Sequence, residues 1–327
     1  MQKIKLKAGI TEYIKKQPES GVLIAIILVW SVITFLFPGF LSLPSITSML
    51  TLSAELGIIA IGISFLMISG EFDLSVGSVF GFSAWIMIDI ANQGFSPLLA
   101  IIISLVICAL IGAINGFFVA QIKIPSFIVT IASQMFWRGV LLYVTEGFPL
   151  SYTADTNILK YLGERLFSGF RVSILWFIGL AILFSFILTK TAYGNWVFAT
   201  GCNEDAARAV GVNTKKVKII NFIICSTLAG FAGMTNISRF MSAQTTLGVG
   251  KEFEAIAAAV VGGNLLSGGY GSIIGTLIGS ILISSIRTGL IMIGVKPYLF
   301  LAFTGIIILL AVIINTKFRK AMGKNGK

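Results

Sequence analysis

Ten apolar stretches, most of them long and separated by polar connections, limit most strongly what this chain can fold into. Only 11% of the 327 residues are charged and 56% are hydrophobic, whereas ordinary soluble domains carry about 25% charge. A chain of this composition cannot cover its apolar surface with polar groups, so lipid must solvate much of it. Because a helical span needs about 20 mainly apolar residues, the sequence predicts an all-α polytopic membrane protein with about ten transmembrane helices.

The eighth apolar run is too short to cross a bilayer unaided, and it ends in a glycine cluster, Gly262–Ser272. Irregular backbone at membrane depth is tolerated only where it is buried in protein or lines a cavity. We therefore predict a broken or re-entrant helix over Phe253–Gly271, with eight spans and an interfacial hairpin as the alternative. The ten runs are Gly21–Phe37, Thr47–Ser69, Leu74–Ile90, Pro97–Ala120, Ser126–Val144, Val172–Thr189, Ile219–Ile237, Phe253–Leu266, Ser272–Ile293 and Tyr298–Ile314.

The distribution of Lys and Arg predicts which segments face the cytoplasm. Both ends of the chain are rich in lysine, and cytoplasmic segments carry the excess of basic residues in membrane proteins. We expect cytoplasmic tails at 1–20 and 315–327, a cytoplasmic loop at 190–218, and one membrane domain filling residues 1–327. Segments assigned to the cytoplasm on this scheme hold 16 of the 24 basic residues.

Motifs for chemistry are scarce. The chain has no histidine, its three cysteines form no CxxC pair, and Gly250-Lys251 is followed by Glu252 rather than by the Ser or Thr of a phosphate-binding loop. The basic residues flank apolar runs, which gives no support for nucleic-acid binding. We therefore expect no catalytic site, no metal and no cofactor on this chain, and any use of ATP to depend on a separate polypeptide.

The polar island between the sixth and seventh runs has the layout of a short capped helix. A good N-cap is followed by two acids in the first turn, alanines in the middle and a glycine suited to the left-handed C′ position. Such a helix, held between two spans, is suited to pressing against a partner protein; the alternative is a solvated connecting loop. Its residues are Asn203, Glu204, Asp205, Ala206, Ala207, Arg208 and Gly211.

Ionisable residues within or beside apolar runs are costly in lipid and usually face a cavity or a partner charge. Glu55 lies within the second run, for which we favour a functional or packing role over exposure. Asp73 follows that run, where the alternative to a functional role is capping of the next helix. For Arg138 we keep two hypotheses: its side chain snorkels to the membrane interface, or it pairs with an acid inside the bundle.

Four segments in order resemble the membrane permeases of ribose-type ABC importers, the second carbohydrate-uptake class. Three departures are visible. Glu71 and Phe72 stand where the family commonly has Gly and Ile, and Arg287-Thr288 stands where it often has Asn. The stretch Gln244–Lys251 also lacks the residues that are commonest in the family. The four segments are Gly70–Ser78, Gly112–Thr130, Gly201–Asn213 and Glu254–Gly279.

The resemblance implies a multi-pass permease in the cytoplasmic (inner) membrane of a prokaryote. Two permease copies, or close paralogues, would form the pore. A cytoplasmic ABC ATPase would bind ATP and Mg, and an extracytoplasmic binding protein would deliver the solute. The helix Asn203–Gly211 resembles the family's coupling helix, which docks into a cleft on the ATPase.

The expected function is ATP-driven import of a small hydrophilic solute, most simply a ribose-like monosaccharide. Alternatives are a permease for nucleosides or autoinducer-2, an ion-coupled secondary transporter using Glu55 or Asp73, and a membrane enzyme. Aromatic faces and a few polar groups suit sugars, which suggests six candidates for the translocation pathway: Glu55, Phe72, Asp73, Phe127, Phe253 and Asn264.

Overall fold

A computed structural model describes residues 20–155, 157, 159–296 and 299–324, apart from the side chains at 20, 311 and 314–324. The predicted N-terminal tail and the basic side chains of the C-terminal tail lie outside this part of the chain. The described residues form α1 (Ser20–Leu36), α2 (Leu43–Ile68), α3 (Val76–Asn92), α4 (Pro97–Ala120), α5 (Ser126–Thr145), α6 (Leu159–Gly163), α7 (Val172–Lys190), α8 (Ala192–Cys202), α9 (Glu204–Ala209), α10 (Thr214–Phe240), α11 (Lys251–Val261), α12 (Ile273–Met292) and α13 (Phe300–Lys324).

Short elements complete the fold. Two 3₁₀ turns occupy Pro38–Leu41 and Phe167–Gly169, and two strands, β1 (Leu150–Ser151) and β2 (Ser242–Ala243), pair antiparallel. The pairing joins the long connection after α5 to the segment that follows α10. The connection between α5 and α7 is therefore partly structured, with β1, α6 and a 3₁₀ turn.

The all-α polytopic membrane fold is confirmed. Within the described residues, six helices are long and apolar enough to cross a membrane, namely α2, α4, α5, α7, α10 and α12. Three shorter apolar helical stretches accompany them, at Gly21–Leu36, Val76–Asn92 and Phe300–Leu310. Apolar side chains cover the outer surface of the bundle, as a lipid solvent requires.

The centre of the bundle is formed by α2 and α10. The most apolar window of α2 is 94% buried, whereas the corresponding window of α5 is only 11% buried. Glycines permit this close packing: a methyl group at Gly62 would stand 2.6 Å from the Cα of Cys225, and one at Gly116 would stand 2.8 Å from the Cα of Ile219. Small residues at these positions thus allow backbone contact between helices.

The chain between α10 and α11 is not helical, and α11 itself has only 11 residues. Arg138, on α5, supports this irregular backbone. Its guanidinium donates to the carbonyl oxygens of Thr245 (2.9 Å), Leu247 (3.0 Å) and Gly77 (3.3 Å). Neither predicted role of Arg138, snorkelling or pairing with an acid, describes its main contacts, which are hydrogen bonds to backbone carbonyls inside the bundle. The charge of Glu252 also lies close by.

Candidate coupling site

The predicted short helix is present as α9, with the predicted caps. The side chain of Asn203 accepts a hydrogen bond from the backbone N–H of Ala206 at 3.0 Å. Gly211 adopts φ +91°, a conformation that a residue with a side chain rarely adopts. Local capping chemistry therefore fixes both ends of the helix, as the sequence indicates.

The orientation of α9 decides which of its residues are accessible at the surface. Ala207 is only 3% exposed and packs into the chain, so its side chain cannot offer a docking surface to a partner. The exposed residues of the helix and its two caps are instead Asn203, Asp205, whose side chain is 92% exposed, Ala206, Arg208, Ala209 and Val210, which is 79% exposed. Any partner that touches this helix therefore meets those residues, and a bulky residue at 207 would disturb internal packing first.

An ionic network attaches α9 to the bundle. The ammonium of Lys218, in the first turns of α10, lies 2.6 Å from a carboxylate oxygen of Glu71 and 2.7 Å from one of Glu204. Arg208 holds the other oxygen of Glu204 at 2.6 Å. Partial burial alone would raise the pKa of Glu204, but the hydrogen bonds and charges of Lys218 and Arg208 lower it from 4.5 to about 2.

Backbone contacts at the same end of the bundle join the end of α2, the end of α8 and the loop that carries Gly269. The N–H of Gly269 donates to the carbonyl oxygen of Ile68, at the end of α2, at 2.8 Å. The end of α8 lies against this bond. Gly201 approaches it so closely that an added methyl group would overlap the carbonyl oxygen of Ile68. The thiol of Cys202 donates to the Gly269 carbonyl at 3.6 Å. Three of the four segments that carry the family resemblance therefore meet at this end of the bundle.

The remaining segment, Gly112–Thr130, lies at the same end of the bundle, where it lines a cavity of about 250 Å³. The cavity separates the end of α4 and the following loop from α9 and the start of α10. Its polar lining consists of Glu71, Lys123, Glu204, Arg208, Lys215 and Lys218.

Three of the predicted pathway residues are buried and have protein partners. Glu55 accepts from Arg239 at 3.1 Å and from Asn236 at 3.0 Å. Asn264 donates to Ser64 at 2.7 Å and is fully buried.

Asp73 is the third of these residues, and it is also fully buried. Its carboxylate accepts from the backbone N–H of Ser75 at 2.8 Å. Burial raises the pKa of Asp73 to about 6, although hydrogen bonds from Ser75 and Ser226 oppose the rise. The carboxylate thus organises the turn before α3, but the N-cap itself is Ser75.

The three aromatic candidates lie apart from one another. Phe72 is half-buried beside the turn that carries Asp73, whereas Phe127 is 59% exposed on α5 and Phe253 is 41% exposed on α11. The exposed positions of Phe127 and Phe253 put them on the outer surface of a single copy.

A second cavity, of about 590 Å³, lies at the opposite end of the bundle from α9. Arg165, Arg171 and Arg239 line it, together with Thr47 and Thr51 of α2. Burial lowers the pKa of Arg171 and the charges of Arg165 and Arg239 lower it further, while Glu55 acts in the opposite direction. The cavity therefore has a net positive lining.

Comparison with known proteins agrees with these features. A family model described as "Branched-chain amino acid transport system / permease component" matches residues 45–312. The chain is 33% identical to the ribose import permease of Escherichia coli (strain K12) over 91% of its length and 94% of that protein. It is 34% identical to the ribose import permease of Bacillus subtilis (strain 168) over 93% of each. It is also 33% identical to the xylose/arabinose import permease of Sulfolobus acidocaldarius, over 88% of this chain and 81% of that protein. The chain therefore belongs to this permease family, together with the ribose import permeases.

Proposed function

We propose that this chain is the membrane subunit of an ATP-driven importer for a small hydrophilic solute, a ribose-like monosaccharide. The observation that carries the proposal is α9, a capped helix with an exposed face that is bonded to the bundle at Glu71 and Lys218. The relatives import ribose, xylose or arabinose according to their names. ATP and Mg would be bound by a separate ABC ATPase that docks on α9.

The proposed topology has ten crossings with both termini in the cytoplasm. The eighth crossing is the irregular segment after α10 together with α11. The Arg138 bonds support this assignment, because backbone that is not helical needs donors when water is absent. On this topology α9 faces the cytoplasm, and the cavity lined by three arginines faces outward.

The pore is proposed to form between two copies of the chain. The apolar surface of α5 can face lipid or a second copy of the chain. If it faces a second copy, Phe127 and Phe253 would border the pathway that the two copies share. Outside the cell, a binding protein with acidic rims would suit the cavity of Arg165, Arg171 and Arg239.

Reconstitution tests the energy source. Vesicles that contain this chain, its ATPase and its binding protein are expected to accumulate radiolabelled ribose only when they enclose ATP and Mg. Proton and sodium gradients without ATP are expected to drive no uptake. Gradient-driven uptake by this chain alone would identify a secondary transporter instead, and ATP-driven uptake of nucleosides or autoinducer-2 but not ribose would change the solute.

The same vesicles test the docking surface. Val210→Glu places a charge on the apolar part of the exposed face, where a desolvated unpaired charge costs about 2–5 kcal/mol, so ATP-driven uptake is expected to fall at least about tenfold. Val210→Leu keeps the surface apolar and serves as the matched control. Equal uptake by the two variants would exclude docking at this position.

Thiol labelling tests the topology. Cys202 is exposed beside α9, whereas Cys108 and Cys225 are buried, so one cysteine is accessible to reagents. A membrane-impermeant maleimide is expected to leave Cys202 of this chain unlabelled in intact cells and to label it in inside-out vesicles. Cys202→Ser is the control, and it should remove the signal. Labelling of Cys202 in intact cells would place α9 outside and refute docking to an ATPase.

A further inference from the structure

One cation, that of Lys218, joins two parts of the chain that are far apart in sequence. Its ammonium contacts Glu204 at the start of α9 and Glu71 in the turn between α2 and α3. The side chains of Lys218 and Glu71 are each 12% exposed, and that of Glu204 is 31% exposed. Ion pairs shielded from water are screened less by salt than exposed pairs, so this contact persists at physiological ionic strength.

Glu71 stands on a rigid turn. Its backbone N–H donates to the carbonyl oxygen of Leu66 at 2.9 Å, and Gly70 before it has φ +86°. The Asp73 carboxylate fixes the rest of the turn through the Ser75 N–H. A force on the Glu71 carboxylate therefore acts on the junction of the central helix α2 with α3.

Glu204 belongs to a helix of only six residues, and Arg208 of the same helix bridges to its carboxylate one turn further on. Arg208 also donates to Thr214 at 3.1 Å, and Thr214 bonds Glu204 at 3.2 Å. The helix thus moves as a unit with its carboxylate. Without Lys218, Glu71 and Glu204 would be two like charges in one half-buried place, and they would repel each other.

We infer that Lys218, held between Glu71 and Glu204, is a positioning residue that transmits displacement of α9 to the turn between α2 and α3. This inference rests on the proposed function, because α9 must be the helix that the ATPase moves. When the ATPase pushes α9, the shared ammonium carries Glu71 with it, and the end of α2 follows. Loss of the link leaves the ATPase able to close but less able to reorient the bundle.

The measurement is the number of ATP molecules hydrolysed per ribose taken up by proteoliposomes that contain the whole complex. Glu71→Gln and Lys218→Met are each expected to raise this ratio about tenfold, within the usual range of coupling between sites. The double variant is expected to be no worse than Lys218→Met alone, because both changes break one link. Lys218→Arg keeps a cation with several donors and is expected to restore most of the coupling.

Lys216→Met is the matched control, since Lys216 lies on the same turns of α10 with an exposed side chain. Unchanged ATP per ribose in Glu71→Gln and Lys218→Met would overturn the inference, as would additive effects in the double variant. Loss of the ATPase from the purified variants would also overturn it, because the residues would then serve assembly. Absence of ATP-driven uptake in the wild-type vesicles would instead refute the importer proposal itself.

Discussion

Arg138→Ala is expected to destabilise the folded protein by at least about 3 kcal/mol, because each buried carbonyl left without a donor costs about 1–3 kcal/mol. Three carbonyl oxygens lose the guanidinium as a donor, those of Gly77, Thr245 and Leu247. Two of them lie in the segment before α11, where no helical hydrogen bonds replace the guanidinium. Glu252, which is 3% exposed, also loses the nearby positive charge.

The midpoint of thermal unfolding in detergent measures this loss, and a decrease of about 5 °C or more is expected. Arg138→Lys is expected to be intermediate, since an ammonium can donate to the carbonyls but lacks the planar fork. Lys160→Ala, which removes an exposed cation from α6, should leave the midpoint unchanged. An Arg138→Ala midpoint equal to wild type would mean that other donors satisfy the irregular segment.

Local chemistry made much of the fold predictable. The apolar runs locate the long apolar helices because length and hydropathy act within each segment. The caps of α9 were also predictable, since Asn203 and Gly211 act on backbone groups within a few residues. Such features depend only on neighbours in the sequence.

Contacts between distant segments were not predictable in the same way. Nothing near Ala207 in sequence indicates that it faces inward, because an alanine suits a buried and an exposed helix face equally. The link from Lys218 to Glu71 needs the tertiary fold that brings α10 beside the end of α2. The signal available was Glu71 itself, an acid in a place where the family commonly has glycine, but its partner could be any of the nearby cations.

The function of the pathway residues depends on what surrounds a single copy of the chain. Glu55 was expected to have a functional or packing role; its carboxylate bonds Arg239 and Asn236 within one copy, and its role in the pathway stays a prediction. Phe127 and Phe253 are exposed, so their role as solute contacts stays a prediction that depends on a second copy. Sequence patterns within one chain cannot specify a surface that two chains share.

Gly201→Ala is expected to be strongly destabilising, although helix propensity favours the change. Gly201 lies inside α8, where alanine is preferred over glycine by about 1 kcal/mol. The added methyl group, however, would overlap the carbonyl oxygen of Ile68 and stand 2.7 Å from the backbone nitrogen of Gly269. Those two atoms form a hydrogen bond with each other, so neither can move aside as a flexible side chain could.

Overpacking of this kind costs about 1–3 kcal/mol, and a clash with backbone on both sides places Gly201→Ala at the upper end. Because α8 leads directly into α9, its displacement from the end of α2 should also reduce ATP-driven uptake.

Gly179→Ala is the matched control: Gly179 is a helical glycine of α7 with open space around the position of the new methyl group. Unfolding midpoints and uptake are compared for the two variants. The control should be at least as stable as wild type, since only propensity acts there. Equal stability of Gly201→Ala would mean that α8 and the end of α2 are separated by more than this packing allows.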